Sequence, residues 1–143
     1  MTIKIVIGSD HAGYRLKTKI SEYLTNKGYD LYDAGTYNTD SCDYPLIAKK
    51  VANKVASAEY EKGILICGTG IGMSIAANKI KGIRAAVVSD TCSAKMSRLH
   101  NNSNILCLGE RIVGEELAKD IVDIWLMSEF LGDRHAKRIA MIE

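Results

Sequence analysis

The sequence predicts an α/β protein: a three-layer αβα sandwich around a five-stranded, mostly parallel, Rossmann-like sheet. Two observations predict it. Short apolar runs recur five times along the chain, and each pair is separated by a stretch whose apolar residues repeat at helical spacing. Alternation of that kind builds βαβ units, whose parallel sheet is covered on both faces. A third observation sets the scale. The chain has 143 residues, with no internal repeat, low-complexity segment or linker, so residues 1–143 are expected to form one domain with a sizeable core.

Taken in order, Ile3–Gly8 (IKIVIG) reads as the first strand. Ala12 to Lys27 follows as an amphipathic helix, with Leu16, Ile20, Tyr23 and Leu24 on one face and Gly28 as its stop. Tyr29–Ala34 is the second strand. A loop carrying Asn38, Asp40 and Ser41 leads to Pro45, which opens a helix to about Ser57. Gly63–Cys67 (strand), Ile71–Ile80 (helix), Ile83–Ser89 (strand), Thr91–His100 (helix), Asn104–Leu108 (strand) and Glu115–Leu131 (helix) complete the series. The last helix is apolar nearly all round, through Leu117, Ile121, Val122, Ile124, Trp125, Leu126, Met127, Phe130 and Leu131. Such a helix is expected to be covered on more than one side, by a second subunit or by the tail folding back. The segment 115–143 is therefore expected to contribute to an oligomer interface.

Composition excludes several classes. A net charge of +2 and 25% charged residues give no clustered basic patch of the kind a nucleic-acid partner needs. No apolar run approaches a membrane span, and Met1 to Lys4 leads straight into the first strand without a secretory leader. The four cysteines, Cys42, Cys67, Cys92 and Cys107, are far apart and read as free thiols of a reducing cytoplasm. Cys42, Cys92 and Cys107 are expected to be small buried hydrophobes.

Chemistry is expected at the carboxyl ends of the strands, where open parallel sheets bind ligands. Those ends carry Gly8-Ser9-Asp10-His11-Ala12-Gly13, Cys67-Gly68-Thr69-Gly70-Ile71-Gly72, Ser89-Asp90 and Gly109-Glu110-Arg111. The glycine loop is neither a Walker loop, having no lysine, nor a dinucleotide fingerprint, since Met73 stands where the third glycine belongs. Asp90 lies about where a ribose-binding acid would fall, a coincidence on this reading. A strand-to-helix turn exposes backbone amides, and a cysteine at a helix start is favoured as thiolate, so Cys67 can serve as base or nucleophile. Its bland alternative is a core cysteine at a strand end. His100 ends a helix and could simply meet its dipole; Asp10-His11 could be a turn pair; Arg134 and Arg138, four apart, could be a solvated tail or hold a phosphate dianion together.

Considered together, GSDHAG (8–13), DYP (43–45), ICGTGIGMSIAANK (66–79), GIRAA (82–86), HNNSN (100–104), LGERIVG (108–114) and GDRHAKR (132–138) closely resemble ribose-5-phosphate isomerase of type B. That family includes galactose-6-phosphate and allose-6-phosphate isomerases. The resemblance implies a cytoplasmic enzyme, free of metal and cofactor, that forms a homodimer or tetramer with shared active sites and interconverts an aldose phosphate and a ketose phosphate. Neither nucleic acid nor membrane is an expected partner.

The resemblance makes Cys67 the base between C2 and C1. The amides of Gly68, Thr69, Gly70, Ile71 and Gly72 and the Thr69 hydroxyl would stabilise the enediolate. His100, helped by Asp10, would open the sugar ring. His11, Arg134 and Arg138 would hold the phosphate, both arginines coming from the neighbouring subunit, while Tyr44, Asn101 and Arg111 line the sugar. The alternatives are a six-carbon sugar-phosphate isomerase of the same family and a non-catalytic nucleotide-binding module.

Overall fold

The computed structural model describes residues 3–143. Met1 and Thr2, on which the expectation of no leader rests, lie outside the described residues. The chain runs β1 (Lys4–Ser9), a 3-10 turn (His11–Gly13), α1 (Tyr14–Asn26), β2 (Asp30–Asp33), α2 (Tyr44–Ala56), β3 (Lys62–Cys67) and α3 (Ile71–Ala77). It continues through β4 (Ala85–Val87), α4 (Thr91–Leu99), β5 (Ile105–Gly109), α5 (Glu115–Met127) and α6 (Arg134–Ile142). The strands form one sheet in the order β2-β1-β3-β5-β4, and every pairing is parallel. The expected three-layer sandwich is present.

Strand periodicity sorts the core into two halves. Ile5, Ile7, Ile64, Ile66, Leu106 and Leu108 pack on Leu16, Ile20 and Leu24 of α1, Ala94 of α4, and Ile121 and Trp125 of α5. Val6, Leu65, Ile105 and Cys107 face Ala48, Val51 and Ala52 of α2 and Met73 and Ala77 of α3. Cys67 belongs to this second half. The local signals act as chemistry dictates. Gly28 takes a left-handed φ of 91° just beyond α1, Pro45 sits in the first turn of α2, and Asp90 caps α4 by accepting from the Ser93 amide at 2.6 Å. That cap occupies the acid which stands at the ribose-binding spacing.

One expectation is corrected. The last long helix stops at Met127, because Ser128 turns to extended backbone at φ −90°, ψ 134°. Tertiary partners win there: the Ser128 carbonyl accepts from Arg98 Nε at 3.2 Å, and the Leu131 amide donates to the Leu99 carbonyl at 3.1 Å. Phe130 and Leu131 are therefore outside the helix. What remains has an ordinary buried stripe of Ala118, Ile121, Val122 and Trp125, and is not apolar all round. β4 is also shorter than the expected Ile83–Ser89, since as an edge strand it pairs with β5 alone.

The topology places the site. The chain goes from β1 outward to β2, then returns across β1 to β3, so a switch point lies between the carboxyl ends of β1 and β3. Helices run back to the opposite end. The Asn104 carbonyl accepts from the Gly63 amide at 2.9 Å, which fixes the segment after α4 at the amino end of the sheet.

Candidate active site

A cleft of about 490 Å³ opens over the switch point. β1 delivers Asp10, which is buried; its Oδ1 accepts from the amides of Ala12 at 3.0 Å and Gly13 at 3.1 Å, so the carboxylate caps the 3-10 turn. The Asp10 amide donates to the Ile66 carbonyl at 3.2 Å, which sets it beside Cys67 on the neighbouring strand. Gly13 lets that turn lie flat on β3: a Cβ there would meet the Ile66 carbonyl oxygen at 2.5 Å. His11 lines the cleft, and its Nδ1 accepts from the Cys42 amide at 3.2 Å. With Nδ1 as acceptor, the ring proton belongs to Nε2, which is free to donate.

β3 ends at Cys67, which is 6% exposed and borders the cleft. Its Sγ accepts from the Gly70 amide at 3.1 Å. Gly70 makes this possible with φ 82°, in the left-handed region, where a Cβ would also stand 2.9 Å from the Leu108 carbonyl carbon. The Ile71 amide is taken by Thr69 Oγ1 at 3.2 Å. The amides of Gly68 and Thr69 donate to no backbone carbonyl among the described residues. The loop therefore presents a sulfur with one amide on it and two further amides beside it. The amides of Gly70 and Ile71 meet side chains of the loop itself, those of Cys67 and Thr69.

The other two glycines give room to neighbours. A Cβ on Gly72 would sit 2.6 Å from the Tyr44 ring, and one on Gly68 would sit 3.0 Å from Arg111 Nη1. Tyr44 at the start of α2 and Arg111 after β5 thus both close on the loop, Arg111 tied down by its own amide to the Gly68 carbonyl at 3.0 Å. Asp10, His11, Tyr44, Cys67, Gly68, Thr69, Ile71, Gly72 and Arg111 all border this one cleft.

His100, Asn101, Arg134 and Arg138 do not. His100 caps the carboxyl end of α4, and the rise of β5 from Asn104 to Gly109, roughly 16 Å at the usual strand spacing, separates that end from Cys67. Within one chain His100 and Asp10 are at opposite ends of the sheet. His100 instead stacks on His135, with ring centroids 4.2 Å apart and planes at 12°. Arg134 and Arg138 are exposed on α6, and neither forms an ion pair among the described residues.

His135 escaped the sequence reading. It is buried, its Nε2 has no partner, and burial holds its pKa below the ordinary histidine value, with the charges of His100, Arg134 and Arg138 adding to the effect. On α6 only His135 is buried, while Ile139 is half-buried and Ile142 exposed, so no apolar stripe in the sequence signalled it. The cysteine expectations divide. Cys107 is wholly buried, and burial pushes its thiol far up, with Cys67 nearby contributing; Cys92 is exposed, not a core residue.

Fold and cleft together define a doubly wound α/β protein with a thiol, a carboxylate and free amides at its switch point. Comparison with known proteins sharpens that class. Residues 5–142 match the model of the ribose/galactose isomerase family. Ribose-5-phosphate isomerase B of Escherichia coli (strain K12) is 50% identical over 139 residues, 97% of this chain and 93% of that protein. A solved structure of Clostridium thermocellum ribose-5-phosphate isomerase B superposes with a TM-score of 0.97 at 56% identity, over 98% of this chain and 95% of that one. Galactose-6-phosphate isomerase subunit LacB of Clostridium acetobutylicum is 44% identical over 135 residues, 94% of this chain and 78% of that protein. The chain belongs to the ribose/galactose isomerase family and is an isomerase. The reading as a non-catalytic nucleotide module is thereby set aside.

Proposed function

We propose that the protein interconverts D-ribose 5-phosphate and D-ribulose 5-phosphate through an enediolate. The observation that carries this is the Cys67 loop: a sulfur at the cleft, one residue from amides with no backbone partner, in a chain half identical to a ribose-5-phosphate isomerase B. Taking a proton α to a carbonyl requires a base and preorganised oxyanion donors side by side. Cys67 takes the proton from C2 of the open-chain aldose and returns it to C1, and the Gly70 amide gives the thiolate a partner. The Gly68 and Thr69 amides, with the Thr69 hydroxyl and Gly72 amide, receive the enediolate oxygen. Tyr44 and Arg111 wall the sugar, and His11 donates through Nε2 to the phosphate.

The remaining groups are supplied by a second copy of the chain. His100, Asn101, Arg134 and Arg138 form one cluster at the amino end of the sheet, too far from their own cleft to serve it. In this reading, the partner's His100 opens the ring with Asp10, the partner's Asn101 contacts the sugar, and the partner's arginines hold the phosphate. Residues 1–143 act as one isomerase domain, and 115–143, chiefly α6, contributes to the subunit contact. The assembly in this reading is a homodimer or a tetramer. A cytoplasmic place in pentose phosphate metabolism follows from this substrate, and no metal or cofactor has a role in the steps.

A coupled assay on ribose 5-phosphate, allose 6-phosphate and galactose 6-phosphate tests the assignment. Ribose 5-phosphate should give the highest kcat/KM. A six-carbon sugar phosphate turned over faster would transfer the assignment to the family's other branch, to which the 44% identical LacB subunit points.

A further inference from the structure

The groups assigned above to a partner's site come from two separate segments, the turn 100–104 and α6, which the connection 128–133 leads into. Two contacts already touch both, the Leu131 amide on the Leu99 carbonyl at 3.1 Å and the His100 ring on that of His135. The turn and the connection also converge on one side chain. Arg98, in the last turn of α4, is 7% exposed and has no carboxylate partner among the described residues. Its Nη1 donates to Asn102 Oδ1 at 2.9 Å and to the Ser103 carbonyl at 2.5 Å, and its Nε donates to the Ser128 carbonyl at 3.2 Å. Asn102 stands in the left-handed region at φ 47°, which turns the backbone so that His100 and Asn101 precede a sharp corner. Ser103 is gripped a second time: its Oγ accepts from Trp125 Nε1 at 2.8 Å and shares a hydrogen bond with Ser97 Oγ at 2.9 Å.

A buried guanidinium without a counter-charge costs stability, and burial does pull Arg98 below its ordinary pKa, with Arg84 adding to it. Three carbonyl-type acceptors in a planar fork offset that cost, a geometry that lysine cannot reproduce. Two of the acceptors lie in the segment carrying His100 and Asn101. The third opens the segment carrying Arg134 and His135.

We propose that Arg98 is a positioning residue: it locks the 100–104 turn to the 128–133 connection, so that His100, Asn101 and the two arginines reach a second chain's cleft as one rigid edge. This rests on the two-chain site proposed above. Arg98 acts on the edge its own chain donates and has no effect on its own chain's cleft.

The test is a set of subunit mixtures, with hybrids confirmed by mass. Arg98→Lys alone should lower kcat by on the order of 10- to 100-fold, the effect of misplacing reacting groups by about 1 Å. Reassembled with Cys67→Ala chains, it should regain about a quarter of wild-type activity, because random pairing gives hybrids with one intact site. Reassembled with His100→Asn chains, it should regain nothing, since both substitutions damage the donated edge. A role in stability alone predicts near wild-type turnover per folded dimer and overturns the proposal. So does the reverse pattern, recovery with His100→Asn and none with Cys67→Ala. If Arg98→Lys does not fold, Asn102→Gly keeps the left-handed corner, removes one acceptor, and should show the same asymmetry. The mixture of Cys67→Ala with His100→Asn separates the two readings. Failure to recover there removes the two-chain site itself, whereas recovery there with failure for Arg98→Lys removes only the role of Arg98.

Discussion

Cys67 stands at the last position of β3, so the strand fixes its backbone and the Gly70 amide fixes its sulfur. Cys67→Ala removes the proposed base while leaving Gly70, with its left-handed backbone, and the neighbouring amides in place. Turnover of ribose 5-phosphate should fall by about 10²-fold or more, with substrate still bound, as read by steady-state kinetics and a binding titration. His135 makes a different kind of prediction. Burial disfavours its charged form, so its folded-state pKa lies below its unfolded value. The unfolded chain then binds more protons as pH falls through the ordinary histidine range, and stability drops on that side. Stability should rise with pH up to the unfolded value, about 6.5, and stay level above it. Thermal melts of wild type and His135→Phe across this range should show a smaller acid-side loss in the variant; parallel curves would rule the mechanism out.

Elements were legible where local pattern and tertiary demand agree. The five strands and the crossover helices follow from apolar runs and helical spacing, because both faces of a parallel sheet must be covered. The end of α5 was not legible. The sequence from Ser128 to Leu131 has no glycine or proline, and the helix stops because Arg98 and Leu99 bind its backbone from another element. The docking of α5 rests on Trp125, fully buried, with Nε1 donating to Ser103 Oγ. Trp125→Phe keeps most of the apolar surface and loses this bond and some volume. A destabilisation of about 1–2 kcal/mol is expected, seen as a lower urea midpoint with an unchanged slope.

At the scale of the molecule, the half of the site around Cys67 was readable because loops at strand carboxyl ends meet by topology alone. The other half was readable as residue types but not as a place. A helix that follows a strand carries its last residues to the far end of the sheet, so His100 could have been separated from Asp10 on topology alone. Several large apolar side chains are exposed: Ile71 and Ile75 on α3, Val87 on β4, Ile112 after β5, and Met141 and Ile142 on α6. If two chains complete each site, a monomer is inactive. Specific activity should fall on dilution in step with dissociation measured by mass photometry or sedimentation; activity that persists in verified monomers would contradict the shared site.

In the two-chain site proposed above, the distance between Cys67 and His100 within one chain also has a genetic consequence. A chain defective in Cys67 alone spoils one of the two sites it helps to build, so an equal mixture with normal chains keeps about half of full activity under random pairing. A chain defective in both Cys67 and His100 spoils both, one through its cleft and one through its donated edge. Only dimers of two normal chains then work, and activity falls to about a quarter. The second lesion does nothing further to a chain whose own cleft is already inactive, yet it makes that chain silence the normal partner it pairs with.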